Sequence, residues 1–291
     1  MKVSVLTLVR GRREHLINFL HGLNAQQRPP DELVIAWMQP APHAGLPATV
    51  FPVRHVMVDG QSLPLAAARN RAAAVARHPG LIFLDVDCIA APALVGRYAE
   101  ALDRGPGLYL GEVRYLSAGA VDLDPHRRLD YDQLARSGLR HPARPAPPAH
   151  GVRVEPDPGQ LWGLSFALTG AAHHAAGGMD EAYVGYGGEE TDYAHRLAAA
   201  GLRFYWVADA LAWHQHHRLH RPPLQHFEAI IANARRFHAR WQHWCMDYWL
   251  GLFADAGFIE WHPQATRIQV RRHPGPADID AARLDDSARW G

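Results

Sequence analysis

The chain opens on an apolar run. Residues 2–9 are mainly β-branched and aliphatic, the pattern of a strand buried on both faces. The pattern then changes period. Leu16, Phe19, Leu20 and Leu23 recur at helical spacing within residues 14–25, and Pro29 and Pro30 close that helix. The apolar run at 33–37 and the segment 54–58 predict two further strands, and the Ala-rich segment 65–76 predicts a helix. Residues 81–84 predict a fourth strand ending at Asp85, and Pro92 opens a helix running to Leu102. Strands alternating with helices predict a doubly wound α/β fold around a mostly parallel sheet. Ligands of such sheets bind beyond the carboxyl ends of the strands, where Arg10 and Asp85 fall.

The pattern fades between residues 117 and 159. The Pro/Ala-rich stretch 142–148 reads as a mobile surface loop or a lid over the site. Periodicity returns after Leu161, with a helix predicted over 189–200 and a strand over 204–207. Farther on, Phe227, Ile230, Ala234, Phe237, Trp241, Trp244 and Tyr248 step by threes and fours. That stripe predicts one long helix over about 224–250, either docked on the rest of the chain or forming a homodimer seam. The pattern therefore separates a first unit over 1–220, with an irregular loop at 116–160, from a helical extension over 221–291.

Composition narrows the function classes. A formal net charge of +1 with 20% charged residues lacks the basic excess of a general nucleic-acid binder. Two cysteines, Cys88 and Cys245, form neither a CxxC pair nor a disulfide framework, which fits a reducing, cytoplasmic setting. The arginines follow the short apolar N-terminus instead of preceding it, the reverse of a secretory signal, and no stretch approaches a membrane span.

Four groups of residues carry chemistry. Asp85-Val86-Asp87 places two carboxylates where a buried strand breaks, suited to a hard divalent cation. Gly177-Gly178-Met179-Asp180-Glu181 precedes Tyr186-Gly187-Gly188-Glu189-Glu190-Thr191-Asp192, with paired acids at a helix start. One of those acids can serve as a general base. Trp213-His214-Gln215-His216-His217 offers imidazole ligands, in a chain with 20 histidines. Arg10, Arg12, Arg69 and Arg71 offer forked donors for phosphate. Each group alone has a plainer account: a solvated turn, a helix-capping acid pair, a polar loop, ordinary surface charge.

In this order the four groups resemble the nucleotide-sugar glycosyltransferases with the A-type fold. The resemblance is to family 2, with a C-terminal motif similar to that of β-1,4-galactosyltransferases and polypeptide N-acetylgalactosaminyltransferases. Residues 3–16, Ala68-Arg69-Asn70-Arg71, Asp85-Val86-Asp87 and the stretch from Gly177 to Arg196 carry it, the last most specifically. It covers about 1–115 and 160–217, and neither the Pro-rich loop nor the extension, and it implies a catalytic unit over 1–220 with a nucleotide-binding half (1–115), an irregular loop (116–160) and an acceptor half (161–220).

The resemblance implies an inverting, metal-dependent transfer from a nucleotide-diphosphate sugar, UDP-sugar by family habit, to an acceptor hydroxyl. It implies Glu190 as general base and Glu189 on a sugar. It implies Arg10, Asp59, Arg69 and Asp85 around the nucleotide. It implies Asp87 with His214, or its near competitor His216, on Mn²⁺ or Mg²⁺. Glu190 stands where inverting relatives usually carry aspartate, one methylene shorter. A retaining transferase, a nucleotidyltransferase and a non-catalytic nucleotide-sugar binder are the alternatives. The acceptor is left open among glycan, lipid, peptide and small molecule, and an acceptor platform is a further reading of the 224–250 stripe. Trp162, Tyr183 and Tyr186 are candidates to stack on a sugar.

Overall fold

In the computed structural model, which describes residues 1–59, 63–124 and 128–290, the opening apolar run is the buried strand β1 (Val3–Val9). It is followed by α1 (Arg13–Asn24), β2 (Glu32–Trp37), β3 (Val53–Met57), α2 (Leu65–Val75), β4 (Gly80–Leu84), β5 (Cys88–Ala90), α3 (Leu94–Leu102) and β6 (Leu108–Tyr115). The second half contains α4 (Tyr131–Ser137), β7 (Leu139–Arg140), β8 (Val152–Glu155), β9 (Ser165–Thr169), α5 (Gly170–Ala175), α6 (Glu189–Ala199) and β10 (Phe204–His214). The chain continues through α7 (Phe227–Trp241), α8 (Asp247–Asp255), β11 (Ile259–Glu260), β12 (Gln269–Val270) and α9 (Pro276–Ala281).

The α/β class and the mostly parallel sheet are as expected. The sheet order is β3-β2-β1-β4-β9-β6-β10-β5, with β7 on β6 and β8 on β10. Strands β3, β2, β1 and β4 are mutually parallel, as are β6 and β10. Between these groups β9 runs antiparallel to both β4 and β6. All the parallel strands therefore point the same way, and their carboxyl ends form one edge. Helices α1 and α3 cover one face through Leu16, Phe19, Leu23 and Tyr98. Helices α2 and α6 cover the other through Ala68, Ala72, Tyr193 and Leu197.

Three elements depart from the sequence reading. Helix α3 starts at Leu94, so Pro92 lies in the turn ahead of it. The predicted strand over 204–207 is only the first part of β10. That part pairs with β8, the register on β6 slips between Trp206 and Leu211, and the later part pairs with β5.

The predicted single helix over 224–250 is two helices. Gln242 adopts a left-handed conformation (φ 59°) that ends α7, and Met246 (φ 60°) precedes α8. The helical stripe is consumed by packing within the chain. Phe227, Ile230 and Ala234 form a separate core with Phe253 and Trp261, and Phe237 packs with Tyr183 and Cys245. Tyr248, which would have ended the stripe, is exposed.

The Pro-rich stretch is irregular yet anchored. The Arg144 guanidinium lies between the rings of Trp162 and Trp206, at 4.5 and 4.6 Å. Burial pulls Arg144 down to about 10, against the nearby Tyr115 and Glu155.

Candidate active site

The carboxyl edge of the sheet gathers the chemistry. Where β4 ends, Asp85 accepts the Asp87 backbone N–H on its side chain (3.1 Å), and its carbonyl accepts from Cys88 (2.9 Å). This tight turn reverses the chain into β5. Strand β5 pairs antiparallel with the end of β10, Cys88 opposite His214, and the Gln215 N–H bonds the Asp87 carbonyl at 2.7 Å. The pairing sets Asp87 and His214 side by side although they are far apart in sequence.

Asp87 is buried and surrounded by cationic and imidazole groups. His15 Nδ1 is 2.5 Å and Arg12 Nε 3.4 Å from its Oδ1, while His217 Nε2 lies 3.8 Å from its Oδ2. Burial alone would raise its pKa. The His15 hydrogen bond and the charges of His214, Arg12 and His15 outweigh that and hold it at about 2. His214 is pulled down to about 4 by burial, against the pull of Asp87, so its ring is neutral at neutral pH. One ligand atom each from Asp87, His214 and His217 lie within 4.8 Å of one another. The set fits a cation chemically: an ionised carboxylate and imidazoles with no proton to displace.

The opposite wall is built by α2 and α6. Gly188 (φ 90°) is the N-cap of α6 and directs Glu189 and Glu190 into its first turn, a backbone conformation costly for any other residue. Arg69, 6% exposed, donates to Glu189 Oε1 at 2.9 Å. Its charge also acts on Glu190 and Asp85, so it links the acid pair to the Asp85–Asp87 turn. Burial, then the adjacent Glu189, raises Glu190 well above an ordinary glutamate, with Arg69 opposing. Asn70 fixes the glycine-rich segment, donating to the Met179 carbonyl (2.8 Å) and accepting from its N–H (2.8 Å).

Residues 4–157, more than half of the chain, match the model described as Glycosyl transferase family 2. The chain belongs to that family. Residues 154–222 match a second model, described as the N-terminal domain of galactosyltransferase. No curated protein matches the chain by sequence. Among solved structures, the fold is similar to S. aureus TarS 1-349, at 13% identity and TM-score 0.51, over 80% of this chain and 64% of that one. TarS 1-349 in complex with UDP-GlcNAc gives 12% identity and TM-score 0.52, over 88% and 71% of the two chains. GalNAc-T7 with UDP, GalNAc and Mn²⁺ gives 14% identity and TM-score 0.51, over 74% and 43%. The family 2 chain thus spans about two thirds of the first of these and under half of the last.

The expected site residues of this family 2 chain are only partly brought together. Asp85, Asp87, Arg69, Glu189, Glu190 and His214 come together as described. Arg10 lies at the same edge just past β1, where it faces a neighbouring cavity. Asp59 follows β3 on an exposed surface. His216 stands outside the imidazole–carboxylate cluster, and His217 is the histidine that faces Asp87. Tyr183 is 1% exposed and bonds Asp192, so it is a packing residue with no sugar-facing surface. Tyr186 is 37% exposed.

His15, one turn into α1, was not singled out from sequence. Neither were the supports that α7 supplies. Asp192, fully buried, accepts from Arg196 (2.8 Å), Arg240 (2.7 Å) and Trp241 (3.0 Å). Arg240 also reaches Asp180 (2.9 Å), and Asn233 donates to the Gly187 carbonyl (2.8 Å). The glycine-rich turn therefore rests on a segment beyond both family matches.

Proposed function

We propose that this chain is an inverting, metal-dependent glycosyltransferase that moves a sugar from a UDP-sugar to an acceptor hydroxyl. The observation that carries the reading is the continuous series Asp87, Asp85, Arg69, Glu189, Glu190 along one sheet edge, a cation-binding end joined to an acid pair through one buried arginine.

Asp87, His214 and His217 would hold the cation, and two imidazoles favour Mn²⁺ over Mg²⁺, which keeps oxygen ligands. Bound there, the cation supplies positive charge to the diphosphate of the donor. Arg12 and Arg69 stand at the same edge to bind phosphate oxygens as charge builds on them. Glu190 accepts the acceptor hydroxyl proton as that oxygen bonds to the anomeric carbon. The bond from that carbon to the diphosphate breaks, and UDP departs with its electron pair. One oxygen of Glu190 and one of Glu189 are buried without a hydrogen-bond partner among the described residues, which supports a ligand-facing role. No helix of the described residues is long and apolar enough to cross a membrane, and Cys88 and Cys245 are free and buried. We place the enzyme in the cytoplasm on that footing.

The test is thermal shift against a panel of UDP-sugars with and without Mn²⁺, followed by UDP release from the best binder. Glu190→Gln should lower turnover about 100-fold or more and leave donor affinity unchanged. Near-normal turnover would remove Glu190 from the mechanism, and absence of any Mn²⁺-dependent binding would remove the reaction.

A further inference from the structure

Beside the turn that carries Glu190 lies a second cavity of about 570 Å³, within the range of small-molecule sites. Tyr186, four residues before Glu190, forms one wall, its ring stacked on His226 at 4.6 Å and 18°. Leu63, Leu224, Pro274 and Ile279 add apolar surface. Burial, together with His220 and His217, lowers His226 to about 4, so the stacked pair is an uncharged aromatic face at neutral pH.

The charged groups at the rim are of opposite sign and already engaged. Glu228 meets His273 Nδ1 at 2.5 Å, and Arg10 has partners of its own. A diphosphate needs clustered cationic donors, and these lie instead around Asp87 and Arg69. A flat apolar body needs what this cavity has: an aromatic face and aliphatic walls. Much of the lining comes from 224–229 and 274–279, outside both family matches, so the cavity belongs to this chain's own extension.

We propose that this cavity seats the acceptor, and that the acceptor carries its reactive hydroxyl next to a flat apolar body, as an aryl glycoside does. The proposal rests on the transfer reaction argued above. It places the hydroxyl towards Glu190 and the apolar body between Tyr186–His226 and Ile279.

The probes are paired 4-nitrophenyl and methyl β-glycosides of glucose, galactose and N-acetylglucosamine, titrated into the full chain with Mn²⁺ and UDP. Binding is read by saturation-transfer NMR. At least one 4-nitrophenyl glycoside should bind tenfold or more tightly than its methyl partner. Gln225→Trp, which narrows the cavity from an exposed position, should weaken that binding at least tenfold, and His226→Ala should weaken it by removing the stacked face. UDP affinity should be the same in wild type and both variants. Equal binding of aryl and methyl partners, or no aryl binding while UDP binds, would overturn the proposal. A matching loss of UDP affinity in Gln225→Trp would assign the cavity to the nucleotide and overturn it too. Failure of UDP to bind the wild type with Mn²⁺ would strike the transfer reading itself, and the acceptor proposal with it.

Discussion

His15 and Asp87, 72 positions apart, meet at 2.5 Å between Nδ1 and Oδ1. The contact occupies one carboxylate oxygen and leaves the other turned towards His217. It orients the proposed ligand and holds it ionised. Groups that orient metal ligands in this way typically govern affinity by 10- to 100-fold. His15→Ala should therefore weaken Mn²⁺ binding by about that factor in isothermal titration, with the fold intact by circular dichroism. Unchanged affinity would detach His15 from the metal site.

The raised Glu190 carboxyl gives turnover and stability opposite pH dependences. As a base it works only when deprotonated, so turnover should rise as pH climbs through a pKa well above 4.5. In the folded chain Glu190 holds its proton where an unfolded glutamate has released it. Its effect is neutral below the unfolded pKa, and destabilisation grows as pH rises from there through the folded value. Glu190→Gln should thus raise the melting temperature of the metal-free protein at neutral pH, by about 2–4 °C for each kcal/mol relieved. A variant that melts lower at neutral pH than the wild type would show that the carboxylate is not strained there.

Arg240, itself partly exposed, reaches from the extension to the fully buried Asp192 and to Asp180 at once. Leaving a buried carboxylate short of a cationic partner typically costs about 3–5 kcal/mol, less here because Arg196 and Trp241 still bond Asp192. Arg240→Met should lower the melting temperature by several degrees and reduce kcat more than donor KM, since the turn bearing Glu190 loses its support. Arg240→Lys should recover part of both. A Met variant with wild-type kcat would confine Arg240 to the surface.

Strands β1, β2 and β4 were legible because apolar residues dominate each of them, α1 because of its periodicity, and α2 because of its alanine content. Strand β5, three residues long, was not legible, and neither were β6, whose apolar run is broken by Gly111 and Glu112, and β9, which is as long as β4. The break after α7 left no mark in the apolar spacing, because the stripe continues across Gln242, where the left-handed turn sits. At the site, Asp87, Arg69 and the acid pair were readable from motif order. The choice between His216 and His217 was not. In a continuing strand His214 and His216 would share a face. The strand ends at His214, so alternation lapses, and His217 turns towards Asp87. His15 and Arg240 were invisible for a simpler reason: their importance depends on what the fold brings opposite them.

Strand β10 serves two neighbours in succession, with Asp209 (φ 58°) marking the change between them. The irregular stretch around Asp209 works as an expansion joint. Extra or missing residues there can be taken up without moving the pairing of Ala212–His214 on β5. Beyond it, one residue gained or lost would rotate the His214 imidazole to the other side of the sheet. Divergence in length among descendants of this sequence should collect on the Asp209 side and stop at Leu211.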